Sequence, residues 1–165
     1  MVRRFRLDAD SQVVVVGSGY NGLLFSLFSR HFGAGRVVMV GSSRWADRVT
    51  NHFGAQGFVD YHDPQAAVKV RDLLRGSPTH VIDAKGSHAS LAVSAAVLAP
   101  GTAFGVYGID DLEETEDTRG KLSRSRPSLD MNTDEASCVP EWYALWQAGF
   151  FHRPGMCDRV MPLDE

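Results

Sequence analysis

The chain has 165 residues, 44% hydrophobic and 22% charged, with a net charge of −3; this suits one soluble domain with a substantial core. The slight negative charge argues against a general attraction to nucleic acid or acidic membranes, and no apolar run is long enough to span a bilayer. Met1-Val2-Arg3-Arg4 is basic without a following signal-peptide core, and two cysteines, Cys138 and Cys157, make no disulfide framework, so a reducing cytoplasm is the expected compartment.

The predicted elements alternate between strand and helix. Gln12–Val16 is the first strand; its consecutive valines make it apolar on both faces, as a central parallel strand must be. The loop Gly17-Ser18-Gly19-Tyr20-Asn21-Gly22 leads into a helix from Tyr20 to Phe32, which stops at Gly33-Ala34-Gly35. Arg36–Val40 is the second strand, Ala46–Phe53 a helix ending at Gly54, and Phe58–Tyr61 a short third strand. Ala66–Arg75 is a helix closed by Gly76, Thr79–Asp83 the fourth strand, and His88–Leu98 an alanine-rich helix. After the turn Ala99-Pro100-Gly101, Thr102–Tyr107 is the fifth strand. The alternation predicts an α/β fold: a doubly wound, mostly parallel sheet with helices on both faces, a Rossmann-type domain over residues 1–165. Ligand is expected in the crevice beyond the C-terminal strand ends.

Beyond Gly108 the pattern weakens. Asp110–Asp117 is acidic and Arg119–Pro127 basic and polar, which reads as a solvated, mobile loop. Thr133–Gln147 reads as helical, with Pro140 starting a new helix or kinking one, and Trp142, Tyr143 and Trp146 are spaced for helix packing. Arg159-Val160-Met161 is a candidate last strand.

The glycine loop carries the chemistry. Gly17 can take the tight turn off the strand, Gly19 leaves the backbone open to a pyrophosphate, and Gly22 lets the helix pack close. The helix N-terminus adds N–H groups and partial positive charge. Between a buried strand and a helix, Gly-x-Gly-x-x-Gly marks a dinucleotide site, the alternative being a plain glycine-rich turn. An acid about 20 residues further on would accept both ribose hydroxyls and select NAD. That position is Gly41, and Gly41-Ser42-Ser43-Arg44 offers space, hydroxyls and a planar cation instead, with Arg48 one helical turn on. The pattern predicts NADP over NAD. An ordinary loop with Ser43 capping the helix near Trp45 is the bland alternative, and both readings can hold.

Other chemistry is thin. There is no Cys-x-x-Cys or His-Glu-x-x-His, and His152 with Cys157 does not close a zinc site. His31 and His52 suit helix C-termini. His62 and His88 lie beyond strand ends, His80 has no evident partner, and Lys85, just past the fourth strand, is a candidate contact to phosphate or to solvent.

These residues resemble the cofactor domain of zinc-type alcohol dehydrogenases, in the medium-chain dehydrogenase/reductase superfamily. The marks are the glycine loop after Val13–Val16, Gly33-Ala34-Gly35 before Arg36–Ser42, and Phe53-Gly54-Ala55 before Asp60-Tyr61. Val81-Ile82-Asp83 with Gly86, Leu98–Gly101 before Tyr107-Gly108, and the closing Asp158–Glu165 also fit. The resemblance implies that Gly17, Gly19 and Gly22 hold the pyrophosphate and that Ser42, Ser43 and Arg44 flank the adenosine ribose. It places Gly86, Ser87 and Tyr107 near the nicotinamide. Such enzymes carry their catalytic zinc and substrate pocket on a separate domain, so this chain is expected to bind cofactor without catalysing, as an excised domain or a remnant. A nucleotide-sensing regulatory module is the rival; Gly41 argues against a third reading, an S-adenosylmethionine-dependent methyltransferase. In the resembling family the last strands pair across a dimer. Here Arg124, Arg126 and Pro127 within Ser123–Met131 protect that edge, yet Trp142, Tyr143 and Trp146 need burial, so self-association through another surface, or a dimer with a shortened strand, is expected.

Overall fold

The structure, a computed structural model, describes residues 2–108, 131–152 and 154. These fall in two compact units, Met1–Leu129 and Asp130–Glu165. In the first, α1 (Val2–Phe5) precedes β1 (Gln12–Val16), α2 (Tyr20–His31), β2 (Arg36–Gly41), a 3-10 turn (Ser43–Trp45) and α3 (Ala46–His52). There follow β3 (Gly57–Asp60), α4 (Ala66–Leu74), β4 (His80–Asp83), α5 (His88–Val97) and β5 (Ala103–Val106).

The valine run does what its composition requires: β1 lies at the centre of a five-stranded sheet ordered β3-β2-β1-β4-β5. Every pairing is parallel, with Val14 opposite Val38 on one side and Val81 on the other. Successive side chains alternate faces. Val14, Val16, Val38, Val40 and Val81 pack with Val70 and Leu74 of α4 and Leu91 and Val97 of α5. Alternation turns the equally buried Val13, Val15, Val37 and Met39 to the other side, where α2 lies against β1 and β2 and α3 against β3. A fully buried valine contributes about 1.5–3 kcal/mol, so the central strands are the main source of cohesion. The expected doubly wound α/β architecture is thus present, and element ends differ from the sequence reading by a residue or two.

The sequence reading passed over α1. Its Phe5 ring lies 5.0 Å from the His80 ring, and His80 Nδ1 is 2.8 Å from Thr79 Oγ1. His80 therefore has partners after all, and burial pushes its imidazole below the usual pKa. At the end of α4 the left-handed residue is Arg75 (φ 62°), one position before the glycine expected there.

In the second unit one helix, α6 (Met131–Gln147), contains Pro140, which therefore begins no new helix. Gly149 (φ 73°) closes it, Phe150 N–H donating to the Leu145 carbonyl at 2.9 Å. The Trp142 ring sits 5.4 Å from Phe151 and Tyr143 5.9 Å from Trp146. The stretches Asp110–Asp117 and Arg119–Pro127 and the candidate strand Arg159–Met161 lie outside the described residues, as does the expected edge strand Ser123–Met131 apart from Met131, which opens α6.

Candidate functional site

A cavity of about 640 Å³ opens where β1, β2 and β4 end, at the strand reversal between outward-running halves of the sheet. Its floor is the glycine loop. Gly17 turns the chain at φ 108°, and its N–H donates to the Val40 carbonyl at 2.8 Å. Gly22 brings α2 against that turn: a Cβ there would stand 1.8 Å from the Gly17 carbonyl oxygen. Gly19 is the N-cap of α2, with no side-chain cap, and a Cβ on it would meet nothing within 4 Å. The first-turn N–H groups are thereby left to solvent or to a ligand, with open space before them.

The wall beyond β2 begins at Gly41. A Cβ there would come within 2.4 Å of Ser18 Oγ, and that hydroxyl accepts from Ser42 N–H at 3.1 Å. The room Gly41 provides is thus filled by Ser18, and it closes the two loops on each other. Ser43 caps no helix: the 3-10 turn starts from Ser42 and α3 from Trp45, neither with a side-chain cap. Instead Ser43 N–H donates to Asp60 Oδ2 at 3.0 Å. The Arg44 and Arg48 guanidinium carbons lie 4.8 and 4.3 Å from the centre of the Trp45 ring, a cation–π arrangement.

Asp60 changes the electrostatics of this corner. No carboxylate ends β2, but β3 runs beside it with Asp60 opposite Gly41. Its Oδ1 accepts from His62 N–H at 2.8 Å and lies 3.1 Å from His62 Nδ1. The His62 N–H and then Ser43 hold the carboxyl down from 3.8 to about 2. A depressed carboxylate stabilises the fold above its unfolded pKa, and the contribution is lost as pH falls through the folded value. Asp60→Asn is therefore expected to be less stable than the parent at neutral pH, the two converging as pH approaches about 2. Denaturant midpoints across that range check it; a gap independent of pH would refute the charge-based account.

The wall beyond β4 is organised by Asp83, fully buried. Its carboxylate accepts from Lys85 N–H (3.0 Å), Gly86 N–H (2.8 Å), Ser90 Oγ (3.0 Å) and Ser94 Oγ (2.9 Å). Ser87 caps α5 in a reciprocal capping box with Ser90.

Of the predicted residues, Gly17, Ser18, Gly19, Tyr20, Asn21, Gly22, Gly41, Ser42, Arg44 and Ser87 line the cavity. Ser43, Arg48, Gly86 and Tyr107 do not: Ser43 and Gly86 serve the two walls from behind, Arg48 stacks on Trp45, and Tyr107 meets Phe25 edge-on at 5.1 Å. Trp45 and Tyr61, not singled out from the sequence, also line it, as does Lys85. Among the described residues the lining includes the cations Arg44 and Lys85 and no carboxylate. Among the described residues no cluster of histidine, cysteine and carboxylate groups could hold a metal, and no helix is long and apolar enough to cross a membrane.

No family model matches the sequence, and no curated protein matches it. Solved structures do match. Benzyl alcohol dehydrogenase from Acinetobacter calcoaceticus is 17% identical, with a TM-score of 0.64 over 87% of this chain and 41% of its own. The fold is that of zinc-type alcohol dehydrogenases, over roughly their cofactor-binding half. Alcohol dehydrogenase TADH from Thermus sp. ATN1 is 21% identical, with a TM-score of 0.60 over 67% of this chain and 32% of its own. A protein from Sinorhizobium meliloti 1021, described as a zinc-binding dehydrogenase and solved bound to NADP, is 24% identical, with a TM-score of 0.53 over 62% of this chain and 31% of its own. This chain thus spans less than half the length of these proteins.

Proposed function

We propose that this chain binds NADP(H) and is the cofactor domain of an alcohol dehydrogenase-like oxidoreductase, holding the nicotinamide for hydride transfer between an alcohol and its carbonyl product. The observation that carries the reading is the cavity itself: an uncapped helix N-terminus with open space at Gly19, flanked by Arg44 and Lys85, with no carboxylate among the described residues of its lining. The redox chemistry would be the dinucleotide's own; the protein supplies binding, orientation and electrostatics. Gly17–Gly22 would receive the pyrophosphate on backbone N–H groups. Ser42 and Arg44 would meet the 2′-phosphate, the Arg44 guanidinium matching its oxygens as a planar fork. Asp60 does not line the cavity and is committed to Ser43 and His62, so it supports the loop rather than accepting ribose hydroxyls. The NADP held by the Sinorhizobium meliloti protein is consistent with this choice.

Calorimetric titration is expected to show NADP binding more tightly than NAD. Arg44→Ala should weaken NADP by about 1.5–3 kcal/mol, tenfold or more, and leave NAD nearly unchanged. Equal affinities in the parent, or tighter NAD, would overturn the cofactor assignment.

A further inference from the structure

We infer that Lys85 makes the cavity selective for nucleotides carrying a diphosphate, by engaging the second phosphate from the β4 wall. This rests on the nucleotide-binding reading above and adds a specificity-determining residue to it. In the sheet, β1 lies between β2 and β4, so the glycine loop that follows it is flanked by Arg44 on one side and Lys85 on the other. Lys85 stands against the loop's first turn: a Cβ on Gly17 would lie 3.6 Å from Lys85 Cβ. The root of the side chain is fixed from behind. Lys85 N–H donates to Asp83 Oδ1 at 3.0 Å, and Gly108 lies so close that a Cβ there would come within 1.9 Å of the Lys85 carbonyl.

The side chain is exposed and lines the cavity, in whose lining no carboxylate stands among the described residues. Asp83, two residues before Lys85, is buried and occupied by four donors. A partial charge at the α2 N-terminus suffices to favour one phosphate. A full ammonium with three donors on a flexible stem, next to the same loop, adds what a second phosphate requires.

The test uses ADP and AMP as probes, titrated calorimetrically into the parent, Lys85→Met and Lys85→Arg, with melting temperatures recorded for each. The parent is expected to bind ADP about tenfold or more tightly than AMP. Lys85→Met, which keeps the apolar stem, should lose about tenfold for ADP and much less for AMP, at an unchanged melting temperature. Lys85→Arg should retain most of the ADP affinity. Unchanged ADP binding by Lys85→Met, equal losses for both probes, or no ADP binding by the parent would overturn the inference. If Lys85→Met destabilises the fold, Lys85→Gln gives the same comparison. Equal NAD and NADP affinities alongside Lys85-dependent ADP binding would sink the cofactor assignment and leave this inference standing.

Discussion

Gly19→Ala is expected to fold like the parent and to lose dinucleotide binding by about tenfold or more, whereas Gly22→Ala should lose about 3 kcal/mol of stability. Both are one-methyl changes in one loop, and the structure separates them. At Gly19 the backbone, φ −74° and ψ −176°, is open to any residue, and the new methyl meets nothing within 4 Å. A small loss of N-cap preference is offset by the stiffer unfolded chain. The methyl nevertheless occupies the approach to the first-turn N–H groups. At Gly22 the methyl would fall 1.8 Å from the Gly17 carbonyl oxygen, a backbone atom with no rotamer to yield. Either the turn or α2 must move, which disturbs the core behind it. Urea titration of both variants, paired with calorimetry, distinguishes them; equal loss of stability in the two would refute the division between a ligand glycine and a packing glycine.

The second large effect is expected at Asp83. Asp83→Ala should lose about 3 kcal/mol or more, because each hydrogen bond to a charged group contributes about 1.5–3 kcal/mol and four donors are stranded together. The relief of desolvating the carboxylate reduces that total without cancelling it. Asp83→Asn should be milder, about 1–2 kcal/mol, since the amide oxygen can serve Lys85 and Gly86 while the Ser94 hydroxyl turns to accept. Denaturant midpoints for the two variants read the difference, and an alanine variant as stable as the asparagine one would contradict it. Nucleotide affinity should follow the same order, because Ala84, Lys85, Ser87, Ala89 and Ser90 form one wall of the cavity.

The sheet was readable in the residues because β1 and β2 are apolar on both faces and each is followed by a helix and a glycine stop. The glycine loop was readable for the same reason: its spacing matters only between such a strand and such a helix. What stayed hidden depends on pairing between strands. Asp60 lies far from Gly41 in the chain, and only the β2–β3 register places it behind Ser43. Ser18 fills the space at Gly41 by a contact between two loops that no local pattern marks. Tyr107 turns toward Phe25 of α2 instead of the cavity, a choice made by packing. Asp83 did carry a signal: a carboxylate ending a buried strand, with Ser90 and Ser94 four residues apart on the next helix, one face of hydroxyls aimed at one acid. The helix α1 is too short to show a period.

The stacking of Arg44 and Arg48 on Trp45 bears on the entropy of recognition. A free arginine side chain samples many rotamers, and fixing one forfeits up to about 2 kcal/mol. Arg44 rests on the indole within the fold itself, so part of that freedom is surrendered during folding and less would remain to be lost when an anion arrives. On the proposed reading Trp45 would thereby contribute to affinity for a phosphate it need not touch, by narrowing the set of places where the guanidinium can be found.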